Sequence, residues 1–318
     1  MKAKTIKAVI NKKMKEWFES IDDPVVKEAV EKNTIVTGGA IASMLLKENV
    51  NDFDVYFRDF ETTLLVAKYY VAKFKIKDKK GIPCPISIQW PDDQSRIKVV
   101  IKSSGVATES GNGNNDYNYF EVTDPTGDNG EAYAYLEDLI SNPGDIEDSY
   151  DDLNEQAQEV VTGAPYRPIF MSTNAITLSH KVQLILRFFG EPEEIHDNYD
   201  FVHCTNYWTS WDNKLVLKQE ALEALLAREL RYVGSKYPLC SLFRLRKFIK
   251  RGWTINAGQI LKITMQLNDM NLSDKETLED QLTGVDSAYF TQVINNIKYD
   301  DDNKIETSYL IELIDRIF

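Results

Sequence analysis

Apolar residues recur at three- and four-residue spacing from Ile6 through Val9, Ile10, Met14, Trp17 and Phe18, which predicts a helix to about residue 20. Asp23 followed by Pro24 reads as an N-cap and first position of a second, short helix. The period then changes. Thr34–Thr37 is a β-branched run, Gly38-Gly39 a turn, 40–47 suits a helix, and Phe53–Phe57 alternates as a strand with Asp52 and Asp54 on one side. Helical spacing returns over 61–74, and 86–90 and 97–102 read as strands.

Residues 103–130 are rich in Gly, Asn, Ser and Asp and are expected to form mobile loops or hairpin tips. Beyond them, 182–188 reads as a strand, Gly190-Glu-Pro as a turn, 193–198 as a short helical link, and 199–204 as a strand opening with Asp200. From Lys218 onward the spacing of Leu222, Leu225, Leu226 and Leu230, then Leu242, Leu245, Phe248 and Ile249, is helical.

Composition narrows the class. A chain of 318 residues with 43% hydrophobic and 27% charged residues is ordinary globular material. No run approaches 18 apolar residues, so a membrane span is not expected and a cytoplasmic location is. Cys84, Cys204 and Cys240 lack metal-site spacing and read as reduced thiols. His180, His196 and His203 are likewise not spaced as metal ligands, and His203 reads as a packed core histidine. Tyr207, Trp208 and Trp211 read as core first and as a base-stacking cluster second.

The net charge of −13 argues against nucleic acid spreading over the whole surface, but the charge is uneven. Residues 228–252 carry eight basic side chains against Glu229 alone, whereas 137–159 hold nine acids and neither Lys nor Arg. A phosphate-bearing partner would be steered to the first segment. The pattern does not fix an oligomeric state.

Two carboxylates on one side of a half-buried strand repel unless cations or ordered water sit between them. Gly-Gly, a short helix, then Asp-x-Asp, with twelve residues between Gly39 and Asp52, resembles the signature of the polymerase-beta-like nucleotidyltransferase superfamily. Asp200 in "NYDFVHC" matches the third carboxylate of that superfamily, and "HKVQLILRFFGEPEEIHDNYDFVHC" is similar to its paired strands. The 237–255 stretch "YPLCSLFRLRKFIKRGWTI" is more distantly similar to a helix of tRNA CCA-adding enzymes and bacterial poly(A) polymerases. Tyr237 stands where those enzymes have Asp, and Ala42 and Ser43 replace their Arg-Asp pair, departures that count against CCA addition specifically. The large lobe between the motifs resembles viral versions of the fold, which implies a location in the host cytoplasm.

The resemblance implies an α+β architecture: a nucleotidyltransferase-fold, mixed-sheet head from 1–77 and 166–215, an inserted α/β lobe at 78–165, and a helical C-terminal domain at 216–318. It implies Mg²⁺ or Mn²⁺ on Asp52, Asp54 and Asp200, the catalytic carboxylates, with a nucleoside triphosphate such as ATP as substrate. Gly38, Gly39 and Ser43 would hold the triphosphate, and Arg244, Lys247 and Arg251 would contact it or an RNA backbone. The expected reaction is template-independent transfer of a nucleoside monophosphate to an acceptor hydroxyl, with an RNA or tRNA 3′ end favoured. Two alternatives stand beside it: a catalytically degenerate member kept for binding, and a transferase acting on a protein or small molecule.

Overall fold

A computed structural model describes residues 1–74, 86–102, 116–117, 121–123, 165–282, 305–306, 308–309 and 311–312. The expected loops of 103–130, apart from 116–117 and 121–123, lie outside the described residues, as does the acidic 137–159 segment.

The N-terminal half follows its local signals. Helix α1 (Ala3–Glu19) buries Ile6, Ile10, Met14, Trp17 and Phe18, the stripe that its spacing predicts. Helix α2 (Pro24–Asn33) starts at Asp23, whose side chain accepts from the Val25 and Val26 amides. Strand β1 (Thr34–Thr37) is buried throughout, helix α3 (Gly39–Leu46) follows the glycine turn, and strand β2 (Phe53–Phe57) returns antiparallel to β1. Helix α4 (Phe60–Lys73) is capped by Asp59, which accepts from the Thr62 amide at 2.6 Å.

The protein is α+β, with a mixed sheet. Strands β3 (Ile86–Gln89), β4 (Lys98–Lys102) and β5 (Asp116–Tyr117) form a small antiparallel sheet. The main sheet adds β6 (Glu121–Thr123), β7 (Pro168–Ser172), β8 (Ala175–Leu178), β9 (Val182–Ile185), β10 (Tyr207–Thr209) and β11 (Lys214–Val216). Its order is β11-β10-β1-β2-β9-β8-β7-β6. The β2–β9 pair is parallel and the other pairs are antiparallel. Within the stretch expected as an inserted lobe, β6 extends the main sheet, and Ile97 and Val99 pack into the core beneath α1 and α4.

The two faces of the sheet bury different partners. Phe53, Val55 and Phe57 point into the large core with α1, α3 and α4. Tyr56 and Ile185 point the other way, toward Tyr237, Cys240, Leu278 and Leu282. By the alternation of a strand, Asp54 shares the Tyr56 side, so it faces the later helices and not the large core. Those helices are α5 (Pro192–His196), α6 (Gln219–Ala227), α7 (Pro238–Lys250), α8 (Ala257–Asn268) and α9 (Lys275–Leu282).

The expected strand over 199–204 is a correction. Val202–Cys204 forms one 3₁₀ turn, and Phe201 makes an isolated bridge with Tyr232. The turn closes because the Cys204 amide donates to the Phe201 carbonyl and the Thr205 hydroxyl to the Val202 carbonyl. Local bonds of this kind compete with a ladder and win over the β-branched pattern.

Candidate active site around the glycine turn

Gly38 is the N-cap of α3, with φ 90° and ψ −150°, a conformation nearly closed to any residue with a Cβ. Thr37 lies opposite Asp54 across β1 and β2, so the Asp54 side chain is delivered to the turn. A Cβ at Gly38 would stand 2.6 Å from Asp54 Oδ2 and 3.5 Å from the Tyr199 hydroxyl. The carboxylate therefore fills the space that glycine leaves. At Gly39 an added Cβ would meet nothing within 4 Å. Helix α3 begins at Gly38, which has no side chain to cap it, and its positive end faces the same turn.

Asp200 joins this turn from the other side of the chain. Its carboxylate is largely buried and forms an ion pair with Arg244 of α7, Nη1 to Oδ2 2.5 Å. Four residues later, the Cys204 carbonyl accepts from the Gly38 amide at 3.1 Å. The Cys204 thiol is pushed well up, first by burial and then by both the Asp200 and Asp54 carboxylates, with Arg244 opposing. The Gly38–Cys204 bond and the Asp200–Arg244 pair tie these groups to one stretch of chain. Gly38, Asp54, Asp200 and Arg244 form one neighbourhood.

The other expected residues are placed as follows. Asp52 is half-buried, one residue before β2. Ser43 is half-buried in the second turn of α3. Lys247 is half-buried one turn beyond Arg244, and Arg251 is exposed at the end of α7, so helical spacing sets Arg244, Lys247 and Arg251 along one side. Other cations of the 228–252 segment are engaged with acids: Arg228 pairs with Glu48 at 2.8 Å, and Arg231 with Glu223 and Glu229.

Sequence reading missed the buried support behind the turn. The Thr37 hydroxyl donates to the Asn206 carbonyl at 2.9 Å and meets His196 Nε2 at 2.8 Å, while Lys218 Nζ meets His196 Nδ1 at 3.1 Å. With the hydroxyl proton committed to Asn206, the ring donates from Nε2 and accepts the Lys218 ammonium at Nδ1. Burial, then Lys218, pushes the His196 pKa down to about 3. Tyr199, its hydroxyl buried beside Gly38 and Asp54, packs on His196. The partners are far apart in the chain, so no local period could have joined them.

His203 is a core residue, as expected, though it sits in the 3₁₀ turn and not on a strand. It packs against Phe248 and Trp253, and burial takes its pKa down to about 4. Both histidines stay neutral in the folded chain while the unfolded chain takes up protons below about pH 6.5. Their stabilising contribution is complete above that pH and is lost as pH falls toward 4 and then 3. Unfolding free energy is expected to drop by up to about 1.4 kcal/mol per pH unit for each histidine. His203→Phe should roughly halve the slope in denaturant titrations between pH 6.5 and 5; an unchanged slope would contradict the assignment.

No helix among the described residues is long and apolar enough to cross a membrane. Among solved structures, the chain is similar to the Bacillus stearothermophilus CCA-adding enzyme in complex with CTP, with a TM-score of 0.33 and 12% identity over 81% of this chain and 47% of that one. Among curated proteins it is similar to Gabija anti-defense 2 of Bacillus phage SPbetaL7, 27% identical over 139 residues, 43% of this chain. The match spans 33% of that relative's length. The model of the Gabija anti-defense 2 family protein matches residues 8–228, more than half of the chain, and the chain belongs to that family.

Proposed function

We propose that the chain is a metal-dependent nucleotidyltransferase and that nucleotidyl transfer is how it counters the defence named in its family. The observation that carries this reading is the Asp54 carboxylate seated against Gly38 at the start of α3, with the Gly38 amide bonded to the Cys204 carbonyl four residues after Asp200.

The donor set suits a hard cation, since it consists of carboxylate oxygens. Among the described residues no three His, Cys, Asp or Glu side chains converge closely enough to hold a metal ion on their own. Magnesium seldom requires such a cage, because one or two carboxylates plus substrate phosphates hold it. Asp52 and Asp54 would hold Mg²⁺ or Mn²⁺ together with the triphosphate, and Asp200 a second ion. Bound there, the cations would neutralise the triphosphate and lower the pKa of an acceptor hydroxyl.

The chain's own groups do the positioning. Gly38 and Gly39 bring backbone close to the triphosphate, and α3 aims its positive end at it. The Ser43 hydroxyl lies one turn inside that helix. Arg244, Lys247 and Arg251 offer cations from the α7 side to the triphosphate or to an acceptor backbone. In the reaction, the acceptor oxygen bonds to the α-phosphorus, the bond to the bridging oxygen breaks, and pyrophosphate leaves as the hydroxyl gives up its proton.

One observation favours a second reading, a degenerate site kept for binding: Arg244 already neutralises Asp200. A pyrophosphate-release screen separates the two. The protein is incubated with each nucleoside triphosphate and Mg²⁺ or Mn²⁺ against RNA, tRNA, small molecules and the protein components of the defence. Release that requires one acceptor is the expected result; none with any acceptor supports the degenerate reading.

A further inference from the structure

A second group of cations lies at the other end of the same sheet face. Arg187, two residues beyond β9, is buried, and among the described residues its guanidinium donates to one acceptor, the Tyr237 hydroxyl at 2.7 Å. The neighbouring Leu186 amide bonds the Asn174 carbonyl, and the Asn174 side chain accepts from Arg96 Nη2 at 3.1 Å. Lys98 follows two residues after Arg96, at a point where the next amide, Val99, bonds the Thr173 carbonyl. Lys236 closes the group, because its carbonyl accepts from Gln281, next to the Asp280 that pairs with Arg96 at 3.3 Å.

Hydrogen bonds thus bring the chain segments that carry Arg96, Lys98, Arg187 and Lys236 together around Tyr237 and Asn174. Arg187 sits at the floor, Arg96 and Lys98 are half-buried, and Lys236 stands at the exposed rim. Asp280 pairs with Arg96 and also acts on both lysines, Glu276 acts on Lys98, and Asp93 on Lys236. Even so, both lysines have lowered pKa values, through burial first and then through Arg96 and Arg187. Stacked cations that depress one another are relieved by an anion placed among them.

We propose that Arg96, Lys98, Arg187 and Lys236 form a second anion site, which takes a phosphate or diphosphate group of a nucleotide or polynucleotide. Gln183 of β9 pairs with Asp54, and Arg187 lies four residues further along. Arg187 stands two residues past the end of β9, within about 13 Å of Gln183 at about 3.3 Å per residue, and the two sites share no residue, so one can fail without the other. The inference does not depend on transfer taking place.

The test is calorimetric titration of the full chain in EDTA with pyrophosphate as probe. Saturable binding is expected, weakened by about tenfold or more in Lys98→Ala/Lys236→Ala, as loss of two charge-assisted contacts implies. Lys236→Glu, at the exposed rim, should weaken it as well and guards against misfolding of the double variant. Asp54→Asn should bind as the wild type does. Competition by ADP or by a single-stranded RNA tells which carrier of phosphate the site prefers. No binding to the wild type, or equal binding to both lysine variants, would overturn the proposal.

Discussion

Asp54→Ala is expected to reduce nucleotidyl transfer by at least about a thousandfold, because cation binding and charge neutralisation are lost together. Asp52→Ala and Asp200→Ala should fall to a similar level, and Asp52→Ala/Asp200→Ala should be no worse than either alone, since the three act as a unit. Their effects on stability should differ. Asp200→Ala removes the carboxylate that Arg244 pairs with in a largely buried position, a loss of about 1–3 kcal/mol. Asp200→Asn keeps a hydrogen-bond partner for Arg244 and should recover part of that stability without restoring transfer. Steady-state rates and denaturant unfolding of the same five variants check both halves. Transfer that survives any single carboxylate change within about tenfold would remove that residue from the site.

The adjacent glycines are expected to behave in opposite ways. Gly38→Ala forces a Cβ into a backbone conformation with φ 90° and to within 2.6 Å of Asp54 Oδ2. The strain alone costs about 1–3 kcal/mol, and the carboxylate must move, so stability and activity fall together. Gly39 is the first residue of α3 and has open space in front of it. Gly39→Ala should leave stability unchanged or raise it by up to about 1 kcal/mol, yet it narrows the approach of the triphosphate and should raise KM. Thermal unfolding of the two variants beside KM for the triphosphate separates the cases. Equal destabilisation by both would show that the turn is not built as described.

The first half of the fold was legible because its signals are local. The apolar stripe of α1, Asp23 before Pro24, the β-branched run before Gly38-Gly39 and the alternation around Asp54 each act within a few residues. Strands β7, β8, β10 and β11 escaped notice because each is three to five residues long and held by partners far away. Thr37, for example, pairs with Tyr207 across the β1–β10 ladder. Asp200 was singled out by its setting in the sequence, but its backbone was misread, since Phe201 and Val202 look like a strand until the Thr205 and Cys204 bonds close the turn. His196, Tyr199 and Lys218 carried no readable signal. They matter only because folding sets them against Thr37 and Gly38.

The position of the transferred phosphate tests the central claim most directly. The protein is given a triphosphate labelled at either the α- or the γ-phosphorus, with Mg²⁺ and the acceptor found by pyrophosphate release. α-Label alone is expected to become covalently bound to the acceptor, and Asp54→Ala to abolish that transfer. Label arriving from the γ-position, or α-label transferred equally well by Asp54→Ala, would contradict the account.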